Sequence, residues 1–265
     1  MRAASFAGVA PEAAAAAFNH VFTGYLRPMS FTPGQLQIHI ELNDIDTARS
    51  PLWYDDAGGV IAAALLGVRG TRTWIGGFGV APEYRGSGYA KRLLAHMIDE
   101  ARTHGASEMW LEVLAENAPA IALYESAGFQ TTRALRSFLH AGIEGDMPPG
   151  YRYEDPDRFV DLPDDARPCW QREPRSIQHG AVTTAVAGAD GAYAVYAWNA
   201  QRAQLFKLRA HSGEQLDTLA RAVAADRSIS GLLLVNEPAE SPIAKYAAAG
   251  GWSEPFSQYE MRLTL

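Results

Sequence analysis

The chain is poor in the residues that build covalent or metal-bound scaffolds. Cys169 is its single cysteine, which excludes an internal disulfide framework and any metal site made from several thiolates, and suits a reducing, cytoplasmic setting. The seven histidines are scattered without close pairs, so no metal is expected. No apolar run approaches ~20 residues, and no membrane span is expected. The apolar start, Met1-Arg2, meets Gly8, Pro11 and Glu12 before a long hydrophobic stretch can form, so no export signal is read. Basic excess is missing too. A formal net charge of -7 argues against a nucleic-acid partner, which would call for a basic face, and suits a cationic small molecule or a basic peptide.

What is present has the balance of a soluble globular protein, 48% hydrophobic and 20% charged residues. A length of 265 residues accommodates one large or two ordinary α/β domains. The Ala-rich segment 11–22 opens with Pro and sets Ala15, Phe18, Val21 and Phe22 on one side, which predicts a helix. Thr32-Pro33 reads as the cap and first position of a second helix carrying Leu36, Ile40 and Ile45. Segments 52–54, 60–68 and 71–80, separated by Asp- and Gly-rich turns, read as an antiparallel meander. From 88 to 104, Leu93, Leu94, Met97, Ile98 and Ala101 recur at helical spacing. A strand at 109–114, a helix at 119–127 ended by Gly128, and a strand from 129 follow.

Between 141 and 165 the composition shifts to Gly, Pro, Asp and Tyr without periodicity, which predicts a linker or cover loop between domains at 1–140 and 166–265. The later part repeats the earlier plan: strands at 192–198 and 204–208, a helix at 213–225, a strand at 229–235, a helix at 242–249 and a closing strand at 256–265. At an offset of 122 positions, Leu111, Val113, Ile121, Ala122, Tyr124, Ala127 and Gly128 match Leu233, Val235, Ile243, Ala244, Tyr246, Ala249 and Gly250. An internal duplication is the expectation.

The chemistry concentrates after the third meander strand. Arg85-Gly86-Ser87-Gly88-Tyr89-Ala90 leads into the helix from Lys91, and small residues at a helix start leave several N–H groups aimed outward with the positive end of the dipole behind them. Such a turn binds phosphate, or serves simply as a tight strand-to-helix connection. Farther on stand Asn117, Leu123-Tyr124 and Gly128-Phe129. Taken together, Arg85, Gly88 and Ala90 and this second group resemble the two signatures of the GNAT superfamily of acyl-CoA N-acyltransferases, in the right order and spacing, over residues 75–129.

That resemblance implies a fold, an activity and a set of roles. The fold class is α/β (α+β): two GNAT-like domains, each a mixed, mostly antiparallel twisted sheet flanked by helices. The activity is acetyl transfer from acetyl-CoA, a co-substrate, to a primary amine of a small molecule or peptide. Phe78, Gly79 and Val80 would pair with the pantetheine arm, Arg85, Gly86, Ser87, Gly88, Tyr89 and Ala90 would cradle the pyrophosphate, and Asn117 would contact the arm. Tyr124 would protonate the departing thiolate, as a tyrosine on a rigid helix can. The attacking ammonium must first lose a proton, to Glu112 or a water relay. The Leu111-Glu112-Val113 segment resembles that of the ribosomal-protein alanine acetyltransferases, which use this glutamate as base.

Tyr25, Phe31 and Trp53 lie where family members shape the acceptor pocket, although core packing accounts for them equally well. Asp44, Asp46, Asp55 and Asp56 could bind a cationic acceptor, but acidic turns are usually solvated and that reading is favoured. In the second copy the turn Arg209-Ala210-His211-Ser212-Gly213-Glu214 lacks the phosphate pattern, and Ala239 falls opposite Asn117, so this copy is degenerate and expected to complete a partner surface. A monomer or homodimer is compatible with all of this. The competing class is a non-catalytic acyl-CoA sensor or regulatory module. A dinucleotide-binding enzyme fits poorly, because residues 85–90 do not follow G-x-G-x-x-G.

Overall fold

The structure is a computed structural model that describes residues 1–178, 183–199, 202–226 and 229–265. The chain divides into two compact units, residues 1–132 with 260–265, and residues 133–259.

In the first unit the elements run β1 (Arg2–Ser5), α1 (Pro11–Val21), α2 (Pro33–Leu42), β2 (Pro51–Tyr54), β3 (Val60–Arg69), β4 (Arg72–Val80), α3 (Tyr89–Thr103), β5 (Glu108–Leu114) and α4 (Ala118–Ser126). Strands β1 to β4 form an antiparallel succession, and β4 pairs with β5 in parallel across the α3 crossover. Both α1 and α3 pack on β3, so residues 61–66 of that strand are buried in succession rather than alternately. Helix α2 starts as expected, in a capping box where Thr32 and Gln35 exchange side-chain and main-chain bonds. It stops at Leu42. Asp44 takes a positive φ of 51°, and Ile45, read from the sequence as part of this helix, bridges to Gly67 instead. Strand β1 has no counterpart in the sequence reading; four residues are too few to show an alternation.

The last strand, β12 (Ser253–Thr264), ends inside the first unit, where residues 260–265 lie beside β5. Met261 is fully buried, Leu263 nearly so, and the Leu265 N–H donates to the Ser107 carbonyl at 3.0 Å.

The second unit contains most of β6 (Gln130–Ala141), then β7 (Tyr151–Glu154), α5 (Asp157–Val160), α6 (Pro174–Gln178), β8 (Thr184–Gly188), β9 (Tyr193–Asn199), β10 (Arg202–Arg209), α7 (Gly213–Ala224), β11 (Gly231–Pro238), α8 (Pro242–Ala249) and the start of β12. Its core gathers apolar residues of α7, α8 and β8 to β11, including Tyr196, Leu219, Leu232 and Ala247. The boundary differs from a linker at 141–165 for a physical reason. Strand β6 pairs with β11 from Leu135 to Ala141, and Tyr151–Glu154 pairs with β8, so the Pro- and Gly-rich segment contributes an edge strand of the second unit.

Ending the chain at Tyr259 should unfold the first unit selectively. It removes two buried side chains worth about 1.5–3 kcal/mol each, a large share of the roughly 5–15 kcal/mol that holds a domain together. Urea titration followed by tryptophan fluorescence is the measurement; a midpoint equal to that of the full chain would refute the role given to residues 260–265.

Candidate active site

The site begins where a ladder ends. Strands β4 and β5 pair only from Arg72 opposite Glu108 to Ile75 opposite Leu111. On the other side β4 stays bonded to β3 up to Val80, but Leu65 pairs with Gly77 and Leu66 with Ile75, so Gly76 is an extra residue, a bulge. From Gly77 to Val80 the edge of β4 that faces β5 has no strand partner. Three glycines of this stretch answer to protein packing. A Cβ on Gly76 would strike the Trp74 ring at 2.3 Å, one on Gly77 the Phe18 ring at 2.6 Å, and one on Gly79 the Val21 side chain at 2.8 Å.

The open edge runs into the phosphate-type turn. Gly86 and Gly88 have positive φ values of 77° and 80°, which only glycine adopts without strain. Gly88 is the N-cap of the 15-residue α3 and supplies no side chain, so the first N–H groups of that helix are left for a ligand. Arg85 has a different place from the one its charge suggests. Its guanidinium donates to the Val80, Val21 and Thr23 carbonyls at 3.1, 3.2 and 2.6 Å, and so ties the turn to the end of β4 and the end of α1. Tyr84 donates to Asp55 at 2.5 Å and packs edge-on against Tyr89, holding the turn from the other side.

Between the open edge and α4 lies a cleft of ≈ 290 Å³. Of the residues expected from sequence, Tyr25, Phe78, Gly79, Val80, Arg85, Ala90 and Asn117 line it. Val21, Phe22, Leu26, Pro119, Ala120 and Leu123 line it as well, and of these only Leu123 stands in a motif. Asn117 caps α4, its side chain accepting from the Ala120 N–H at 3.3 Å. Burial raises the Tyr25 phenol, the nearby Asn117 amide opposing and the Glu116 charge adding to it.

Tyr124 is buried beside this cleft, its ring 5.9 Å from Phe78 and 5.8 Å from Phe129. Burial, with the neighbouring Tyr25, pushes its phenol well above the ordinary value, so it is protonated throughout the neutral range. Glu112 is the first residue of β5 past the last β4 pair, partly buried, and its Oε2 accepts from the Trp74 indole at 2.7 Å. His39 of α2, which the motifs did not single out, stands 3.1 Å from the Gly76 carbonyl through Nε2. Burial lowers its imidazole, the Gly76 bond opposing.

The remaining expectations divide. Phe31 lies between Phe18 and His39, at 5.5 and 5.3 Å, outside the cleft. Trp53 is buried in the core, its ring 5.8 Å from His96 of α3, because alternation on β2 turns it to that helix. It does not reach the site. Asp44 and Asp46 pair with Arg69 and Arg49. Among the described residues no group of three His, Cys, Asp or Glu side chains could hold a metal, and no helix is long and apolar enough to cross a membrane.

The second unit repeats the wedge and fills it. Strands β10 and β11 pair in parallel from Arg202 opposite Gly231 to Leu205 opposite Leu234, and Phe206 is the bulge. Arg172 enters here: its Nε donates to the Phe206 carbonyl at 2.8 Å, its Nη1 to the Asn236 carbonyl at 3.4 Å, and it pairs with Glu237. The buried Lys207 holds the Val160 carbonyl at 2.9 Å, the Leu162 carbonyl and Asp164. The start of α7 is capped by its own Ser212 and Gln215. What remains is a cavity of ≈ 20 Å³.

The register of the repeat also needs a correction of one residue. Phe129 N–H bonds the Tyr124 carbonyl across Gly128, whose φ is 95°; Trp252 N–H bonds the Ala247 carbonyl across Gly251, whose φ is 76°. The helix-ending glycine is therefore Gly251, not Gly250, and Ala247 stands in the place of Tyr124. Tyr246 instead reaches the His211 carbonyl at 3.0 Å.

Residues 18–129 match the profile of the Acetyltransferase (GNAT) family. The matched residues fall wholly within the first unit. Among curated GNAT relatives, the [Ribosomal protein bS18]-alanine N-acetyltransferase of Escherichia coli (strain K12) is 48% identical over 59 residues, 22% of this chain and 40% of that protein. The streptothricin acetyltransferase of Streptomyces lavendulae is 46% identical over 63 residues, 24% of this chain and 33% of that one. The chain thus spans at most about two fifths of the length of these relatives. Solved GNAT structures match the fold throughout. A GCN5-related N-acetyltransferase from Sphaerobacter thermophilus has a TM-score of 0.70 at 14% identity, over 99% of this chain and 95% of its own. A tandem GNAT protein from the clavulanic acid biosynthesis pathway has 0.66 at 15%, over 99% and 98%.

The buried phenol makes a prediction about alkaline stability. A raised folded-state value means that the stability tied to protonated Tyr124 is complete below pH 10, the ordinary value, and is lost as the pH climbs above it. Urea midpoints of the wild type and Tyr124→Phe should keep a constant difference from pH 7 to 9 and then shift in favour of Tyr124→Phe above pH 10. A constant difference throughout would show that the phenol ionises normally.

Proposed function

We propose that the first unit transfers the acetyl group of acetyl-CoA to a primary amine of a small molecule or peptide. The observation that carries this reading is the unpaired edge of β4 running directly into the uncapped start of α3. An amide-bearing arm can add to the edge as a further strand, and a pyrophosphate at its end meets the N–H groups of residues 86–90. Phe78, Gly79 and Val80 bind through the main chain. Arg85 shapes the turn, and Asn117, held as the cap of α4, faces the arm.

In the reaction the amine nitrogen forms a bond to the thioester carbonyl carbon and the carbon–sulfur bond breaks. The first proton of the ammonium passes to Glu112 or to a water relay, and the second, shed by nitrogen as the amide forms, ends on the departing thiolate. Tyr124 stabilises the departing sulfur. A thiol ionises near ~8.5, below any phenol, so Tyr124 acts chiefly by donating a hydrogen bond as negative charge grows on sulfur. The relatives named above act on different amines, a ribosomal-protein alanine and streptothricin, and the acceptor here is set by the walls of the cleft rather than by the donor motifs. Residues 133–259 have no donor role in this reading, because Arg172 and the 160–164 segment occupy the equivalent wedge.

Thiol release from acetyl-CoA with a panel of amines and peptide N-termini is the test. Tyr124→Phe should lower kcat by roughly 10²-fold with little change in the KM for acetyl-CoA, and Glu112→Gln should lower it most at neutral pH. Tight acetyl-CoA binding without turnover across the panel would favour a sensor instead.

A further inference from the structure

Both units contain the same bulge, and in both the bulge carbonyl receives a side-chain donor. In the second unit the donor is Arg172, carried on the segment that fills the wedge. In the first it is His39, which reaches the Gly76 carbonyl from α2 and is not part of the cleft lining. The same oxygen is held from outside the wedge in one unit and from inside it in the other. Such a carbonyl has left the ladder and must find another donor.

The state of the His39 ring follows from its partners. A carbonyl only accepts, so Nε2 carries the proton; Asn43 Nδ2 lies 3.3 Å from Nδ1, which therefore accepts. Both nitrogens are bonded, and Phe31 and Trp74, with centroids at 5.3 and 6.1 Å, fix the ring between them. Trp74 in turn holds Glu112. A neutral imidazole with both nitrogens bonded has no lone pair free to take the acceptor's proton.

We propose that His39 is a positioning residue of the donor site: by holding the Gly76 carbonyl it fixes the bulge, and through the bulge the direction of the open edge from Phe78 to Val80. This rests on the acetyl-CoA reading for the identity of the ligand. The effect is on how the donor lies, so it falls on acetyl-CoA affinity and leaves the acceptor and the chemical step largely alone.

The test uses His39→Ala and His39→Gln in the full chain, with acetyl-CoA binding by calorimetry and steady-state kinetics on an amine the wild type accepts. His39→Ala should raise the Kd and KM for acetyl-CoA about tenfold, the scale of one hydrogen bond to a partly buried carbonyl, with kcat and the acceptor KM within about twofold. Gln, whose amide can still donate to a carbonyl, should recover most of that affinity. Unchanged affinity in His39→Ala, or a loss confined to kcat that Gln does not rescue, would overturn the assignment. If His39→Ala fails to fold, the Gln variant decides alone: retained affinity and kcat support positioning, a lost kcat overturns it. If the wild type does not bind acetyl-CoA, the functional reading fails. Hydrogen exchange of the Gly77 to Val80 amides then decides this one, faster in His39→Ala if it holds and unchanged if it does not.

Discussion

The structure turns on one interrupted ladder. Parallel pairing of β4 with β5 stops at Ile75 and Leu111 because Gly76 adds a residue to one strand and not to its neighbour. A sheet that continued to pair would be more stable locally and would have nothing to offer a ligand. The interruption leaves a few peptide groups without strand partners, and an extended ligand can satisfy them. Everything near the site supports that gap: the glycines let Trp74, Phe18 and Val21 press onto the strand, Arg85 anchors its far end, and Asn117 and Leu123 line the other wall with Tyr124 buried beside it.

The two units show what a gap of this kind requires to remain useful. The second has the same bulge and the same divergence, yet two cations, Arg172 and Lys207, draw the protein's own main chain into it. Its helix start is satisfied by Ser212 and Gln215, and the position of the phenol is an alanine. The loss is distributed over every part of the site. The same scaffold thus carries an open wedge in one unit and a filled one in the other, since a fold tolerates changes that a site does not.

Much of this was legible in the sequence where chemistry constrains spacing. Arg85, Gly88 and Ala90, with Asn117 and Tyr124 downstream, mark the wedge because glycine must occupy left-handed positions and a helix start must stay uncapped. Helical periodicity located α3, and Thr32 located α2. What escaped was decided by the third dimension. The charge of Arg85 suggested a phosphate, whereas its guanidinium closes a helix end. Trp53 was adjacent to the right strands but on the face turned to α3. The pair Gly250-Gly251 allowed two alignments, and only backbone conformation picks the second. His39 belongs to no motif, and its partner is a main-chain oxygen that any residue would present.

Strand β12 raises a matter of timing. Thr132 and Glu260 are hydrogen-bonded within the first unit although 128 positions apart, and all of the second unit lies between them in sequence. During synthesis the first unit therefore emerges first but closes last. Until its final strand arrives, the flank of β5 is an exposed edge carrying Trp110 and Leu111, the sort of surface that pairs with whatever strand is near. Closing a loop of that length is slow compared with forming local helices. The sheet of the first unit is thus completed only after every residue of the second has been made.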